Sequence, residues 1–215
     1  CVKLFNRVQN AAIVSNISLD ARTRKETLLT IAAFCTRLKS LTLKFCSLDC
    51  IQLGSALHAI AYSNRNLLHL EIVSCKTICF KNAETSLWSD DHYWTKLWSS
   101  LQTLNLTLVD DQYPKNWLSD RDLNVIMTCF KHLHSLTLRG CSCATTLNTI
   151  SLLIEQQKTC LQVLNLSDLK LNSFALREHP PEIGWPRFCT ALGSCSVLRD
   201  LHVPNSSLTD DELQI

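Results

Sequence analysis

The sequence predicts an α/β fold, a solenoid in which short parallel strands alternate with returning helices, and three observations predict it. An aliphatic pattern recurs in phase along the chain. Stretches with a helical apolar period separate its copies. One cap-and-turn phrase, Leu-(Ser/Thr)-Asp-x-x-Leu, is used twice, from Leu118 to Leu123 and from Leu208 to Leu213.

The pattern reads Leu-x-x-Leu-x-Leu-x-x-(Cys/Asn), followed by another aliphatic residue. Its copies are Leu38, Leu41, Leu43, Cys46, Leu48; Leu67, Leu70, Ile72, Cys75, Ile78; and Leu101, Leu104, Leu106, with Val109 at the Cys position. Three more follow: Leu133, Leu136, Leu138, Cys141; Leu161, Leu164, Leu166, with Leu169; and Leu198, Leu201, Val203, Ser206, Leu208. A decayed copy reads Val8, Ala11, Ile13, Asn16, Leu19. The six clear copies open 28 to 37 residues apart, the long end of the leucine-rich-repeat range or beyond it.

Helical stretches fill the gaps. Leu28, Ile31, Ala32 and Cys35 fall at i, i+3, i+4, i+7, as do Leu53, Ala56, Leu57, Ile60 and Leu123, Ile126, Met127, Phe130, the spacing of one apolar helix face. Ser119 or Asp120 can cap the helix that follows, and Thr209-x-x-Glu212 reads as a capping box. One unit alone cannot bury its leucines; stacked neighbours bury them together. The expected result is a leucine-rich-repeat horseshoe spanning 1–215 as a single domain, with parallel strands on the concave face and helices on the convex face. Because the chain opens on Cys1 and stops within a motif, both ends read as cut.

Composition narrows the function. Of 215 residues, 21 are Lys or Arg and 19 Asp or Glu, a net charge of +2. That balance points away from nucleic acid and from a polybasic membrane surface. Nothing approaches 18 consecutive apolar residues, so no membrane span is expected. Four glycines leave little room for phosphate loops.

Twelve cysteines follow the repeat. Cys46, Cys75 and Cys141 take the small polar position of the motif, and Cys35, Cys129 and Cys195 lie three or four residues before an opening Leu. Such places are buried, and a thiol there behaves as a small hydrophobe. The close pairs Cys46/Cys50, Cys75/Cys79 and Cys141/Cys143 lack zinc spacing and a matching His pair. No metal or other cofactor is expected. Reduced thiols place the chain in the cytoplasm or nucleus, which makes the sequons at Asn16, Asn105, Asn165 and Asn205 chance matches.

No catalytic constellation emerges. His58, His69, His92, His132, His134, His179 and His202 are scattered, and the concave-face pair His69 and His202 lies four repeats apart. The acidic pairs Asp90/Asp91 and Asp110/Asp111 read as solvated loop charge, and no P-loop, GxSxG or HExxH occurs.

A protein partner is expected instead. The outward strand positions are Ser40, Thr42, Lys44; His69, Glu71, Val73; Thr103, Asn105, Thr107; Ser135, Thr137, Arg139; Val163, Asn165, Ser167; and Asp200, His202, Pro204. This mixed, small-polar face suits docking of a protein segment better than a phosphate track. Two insertions add to it. Residues 81–99 carry Trp88, Trp94 and Trp98 and continue after the strand through 109–117 to Trp117; residues 176–188 carry Trp185. Tryptophans in insertions suit either partner contact or packing onto the helices, with Trp94 and Trp98 the better core pair.

The phrase C-x-x-L-x-x-L-x-L-x-x-C from Cys35 to Cys46, with the repeated L-(S/T)-D-x-x-L, resembles the cysteine-containing leucine-rich repeats of F-box proteins. The resemblance covers essentially the whole chain. It implies the substrate-recognition region of a cullin–RING ubiquitin ligase receptor, with the Skp adaptor and cullin held only through an F-box outside this chain. No F-box is recognisable in the sequence, and the third and fifth units lack the motif cysteine. A stand-alone scaffold or inhibitor similar to the ribonuclease-inhibitor class, and an extracellular ectodomain, are the other readings.

Overall fold

The computed structural model describes residues 14–45, 50–73, 99–107, 118–140, 142–144, 147–171 and 181–203. The fold is α/β. Its strands are β1 (Asn16–Leu19), β2 (Ser40–Lys44), β3 (His69–Val73), β4 (Thr103–Thr107), β5 (Leu118–Ser119), β6 (Ser135–Arg139), β7 (Ser142–Ala144), β8 (Val163–Asn165), β9 (Lys170–Leu171) and β10 (Asp200–His202). Between them run helices α1 (Lys25–Phe34), α2 (Cys50–Ser63), α3 (Asp120–Cys129), α4 (Leu147–Gln157) and α5 (Pro181–Gly193).

Seven strands form one all-parallel sheet in the order β1-β2-β3-β4-β6-β8-β10, each paired with the next in chain order. The register carries the leucine pattern directly. Leu41, Leu70, Leu104, Leu136, Leu164 and Leu201 stand side by side as pairing partners. A second row runs Leu43, Ile72, Leu106 and Leu138. Alternation along each strand sends both rows to the same face, where all of them but the exposed Leu201 join the helix residues in one buried cluster.

The helices present the faces the spacing predicts. Leu28, Leu53, Ala56, Leu57, Ile60, Leu123, Ile126 and Phe130 are fully buried. In α4, Leu147, Ile150, Leu153 and Ile154 do the same. Cys35 closes α1 by donating its backbone N–H to the Ile31 carbonyl at 2.8 Å.

Two expectations need correction. The first strand is Asn16–Leu19, with Ile17 beside Leu41 and Leu19 beside Leu43. The decayed copy therefore sits later than Val8, Ala11, Ile13 and Asn16 imply: Asn16 is a strand residue opposite Ser40, not the residue after the strand. Ile17 and Leu19 alternate with polar neighbours and can bury against the helices, which decides the register. The second insertion, expected over 176–188, is helical from Pro181 onward. Proline suits the first helical position, and Phe188, Ala191 and Cys195, at i, i+3 and i+7, are buried.

Ahead of the sheet the linkers are locked by shared carbonyls. The carbonyls of Ser15, Lys39, Leu68, Gln102, His134 and Gln162 each accept two N–H groups, from the last residue of the next linker and the first residue of the strand it enters, at 2.7 to 3.1 Å. Behind the strands, three residues two positions after the second inward aliphatic adopt positive φ: Phe45 (55°), Gly140 (66°) and Asp168 (58°). Phe45 and Gly140 donate their N–H to the carbonyls of Val73 and Ser167 at 2.8 and 2.9 Å. This bend turns the chain off the sheet, and β5, β7 and β9 then pair as a second, three-stranded parallel sheet. A β-branched side chain resists positive φ. Gly140→Val is therefore expected to lower stability by about 2 kcal/mol, checked by urea denaturation; an unchanged midpoint would show that the bend is not required.

Candidate protein-binding face

The sheet face opposite the core collects the predicted outward residues. Pairing sets Ser18, Thr42, Glu71, Asn105, Thr137, Asn165 and His202 in one central row. On one side lies the row Asn16, Ser40, His69, Thr103, Ser135, Val163, Asp200. On the other lies Lys44, Val73, Thr107, Arg139. With strands roughly 4.8 Å apart, the central row is a continuous polar track from β1 to β10.

Part of that track is already bonded to itself. Glu71 accepts from Thr42 Oγ1 through Oε2 and from Asn105 Nδ2 through Oε1, both at 3.1 Å. Asn105 Oδ1 in turn accepts from Thr107 Oγ1 at 2.6 Å. The chain Thr42–Glu71–Asn105–Thr107 thus joins β2, β3 and β4 and fixes the rotamers of four polar side chains. Farther along, Asn165 Oδ1 accepts the Ser167 backbone N–H at 2.9 Å, and Arg139 Nε reaches Asp168 Oδ2 at 3.4 Å. That last pair is exposed and contributes little to stability.

The face divides by exposure. Lys44, His69, Arg139, Asp200 and His202 are exposed, whereas Thr42, Glu71, Thr103, Asn105, Thr137 and Asn165 are half-buried. Thr107 and Ser167 do not belong to the accessible surface, being 9% and 7% exposed. Each lies near the strand exit and is bonded to the asparagine two residues before it. Trp88 and Trp117 lie outside the described residues, as do Trp94, Trp98, Asp90, Asp91, Asp110 and Asp111. Trp185 falls within α5 (Pro181–Gly193), with its side chain outside the description. The motif cysteines Cys46, Cys75 and Cys141 also lie outside.

The thiols before the opening leucines are buried: Cys35 at 4%, Cys129 at 1% and Cys195 at 8% exposure. Burial pushes the pKa of Cys35 up. It does the same for Cys160, where a hydrogen bond from Thr159 opposes it, and for Cys195, where Cys160 adds to the rise and Lys158 opposes it. A nucleophilic cysteine needs a lowered pKa, and these shifts run the other way. His69 and His202 stand four strands apart in the sheet order. Among the described residues no group of three His, Cys, Asp or Glu could hold a metal ion, and no helix is long and apolar enough to cross a membrane.

Burial sets an expected result. Native protein treated with a thiol reagent near neutral pH should label Cys160 and Cys189, which are part-exposed, well before Cys35, Cys129 and Cys195. Site-resolved mass spectrometry reads the order; early labelling of Cys35 would contradict the packing. Raised native pKa values also mean the folded state holds protons that the unfolded state releases. Stability should therefore fall as pH climbs from the ordinary thiol range through the raised native values.

Sequence reasoning missed two buried amides. Asn64, 1% exposed, accepts the Leu38 N–H at 2.7 Å from a neighbouring strand–helix unit. Gln157, also 1% exposed, accepts the Leu133 N–H at 3.2 Å and donates to the Phe130 carbonyl at 2.6 Å. The signal was present: Asn64 stands three residues before Leu67, where other copies carry Cys35 and Cys195. No protein-family model matches this chain, and no curated protein matches it in sequence.

Proposed function

We propose that the chain is a leucine-rich-repeat solenoid that binds another protein on its sheet face and catalyses nothing itself. The observation that carries this reading is the central polar row, in which Thr42, Glu71 and Asn105 are held by one another, with buried Thr107 bonded to Asn105 from the row beside it. Pre-set polar side chains lower the ordering cost of binding, and a face of mixed small polar residues favours selective docking over bulk adhesion.

Within that reading the chain serves as the substrate-recognition region of an F-box-type ubiquitin ligase receptor, acting in the cytoplasm or nucleus. The motif from Cys35 to Cys46 and the repeated L-(S/T)-D-x-x-L support this assignment. The substrate lies on the face or the insertions, and the Skp adaptor and cullin are reached through an F-box outside this chain. Two measurements separate the parts of the proposal. Full-length protein purified from cells should bring the Skp adaptor with it; clean recovery without the adaptor overturns the ligase assignment. Glu71→Lys with Thr137→Arg should then release the co-purified substrate while keeping the adaptor; retention of both overturns the sheet-face assignment.

A further inference from the structure

All strands of the main sheet run in one direction, so every linker that enters a strand lies on the same edge. The described linkers are residues 35–39, 64–68, 99–102, 130–134, 158–162 and 194–199. They contain Arg37, Lys39, Arg65, Lys131, Lys158 and Arg199, and not one Asp or Glu. All six basic side chains are exposed. Among the described residues none of the six makes an ion pair. The twice-used carbonyls of the linkers hold this edge as a fixed array.

We propose that this basic rim docks an extended, carboxylate-rich segment of a partner protein. Helix dipoles do not absorb the charge. Their effect fades beyond the last turn, and no basic residue lies in the last turn of any of the five helices. Spacing fits a peptide. Linkers sit roughly 4.8 Å apart at the strands and about 10 Å apart at the helices. Alternate residues of an extended chain lie roughly 7 Å apart, within that range. Beside Lys131, an open notch of about 440 Å³ is lined also by Met127, Thr128, Gln156 and Gln157, giving room for one side chain between α3 and α4.

Nucleic acid fits less well. The rim belongs to a chain of net charge +2, which gives little long-range attraction for a polyphosphate backbone. The most exposed aromatic near it, Tyr62, already has Arg65 over its ring at 5.8 Å, so it offers no open stacking platform. The rim is a different surface from the sheet face, and this proposal stands without that one.

The test uses the whole chain and a fluorescein-labelled oligo-glutamate peptide, with oligothymidylate as a second probe, followed by anisotropy at low and high salt. Lys131→Glu with Lys158→Glu and Arg199→Glu should weaken peptide binding at least about tenfold. Arg22→Glu with Arg24→Glu, on the opposite edge, should change it by less than about twofold. Should the triple variant lose its fold by circular dichroism, Arg37→Glu with Lys39→Glu provides the same reading at the other end of the rim. Absent binding of the peptide, equal losses in rim and control variants, or tighter rim-dependent binding of oligothymidylate would each overturn the proposal. Glu71→Lys with Thr137→Arg leaves the rim intact and should leave peptide binding in place, so the two surfaces fail or succeed separately.

Discussion

Leu104→Ala is expected to remove about 4 kcal/mol of stability, while Leu201→Ala removes less than about 1 kcal/mol. Both residues occupy the same row of the same sheet, and their side chains are identical. They differ in neighbours. Leu104 is fully buried on the central strand β4, with Leu70 and Leu136 as its pairing partners on either side. Leu201, on β10 at the end of the described sheet, is 40% exposed and has Leu164 on one side. If lateral coverage by adjoining strands is what stabilises the leucines, position in the row sets the loss. Urea denaturation of both variants measures it. Equal losses would mean that the row is not the stabilising unit, and the reading of the motif as a repeat would go with it.

How far the sequence disclosed this arrangement follows from how local each determinant is. The six clear copies are legible because an inward leucine must recur at the same place in each strand, whatever its neighbours do. Helix faces such as Leu53, Ala56, Leu57 and Ile60 are legible for the same reason. The central row Thr42, Glu71, Asn105, Thr137 followed once the register was assumed. What escaped was non-local or low in contrast. Ile17 and Leu19 make a two-residue apolar signature too short to fix a phase against Val8, Ala11 and Ile13. Helix α5 was hidden because Pro180 and Pro181 suggest a loop, although proline is suited to a helix start. Thr107 reads as an outward residue by alternation alone, yet it is 9% exposed and its hydroxyl is bonded to Asn105 Oδ1, a contact that alternation does not announce. The double-acceptor carbonyls leave no trace in side-chain identity, so no pattern could announce them.

The buried amides supply the second large effect. Gln157→Ala should lower stability by about 3 kcal/mol and Asn64→Ala by about 2 kcal/mol. The order follows from what each substitution orphans. Without the Gln157 side chain, both the Leu133 N–H and the Phe130 carbonyl lose a buried partner. Without the Asn64 side chain, the Leu38 N–H loses its acceptor. The Ile60 carbonyl still accepts the Asn64 backbone N–H at 2.8 Å, so only one group is stranded. A competing factor is water: Gln157 borders the open notch of about 440 Å³ beside Lys131, and solvent entering there can re-bond one orphan, which keeps the expected loss below the sum of two unsatisfied groups. Native-state hydrogen exchange separates the contributions. The Leu133 amide should exchange faster in Gln157→Ala and the Leu38 amide in Asn64→Ala, each without the other changing. Loss of stability below about 0.5 kcal/mol in both variants would show that the amides merely accompany the packing. The predicted order instead makes them side-chain hydrogen bonds that tie one strand–helix unit to its neighbour where the leucines alone could slide.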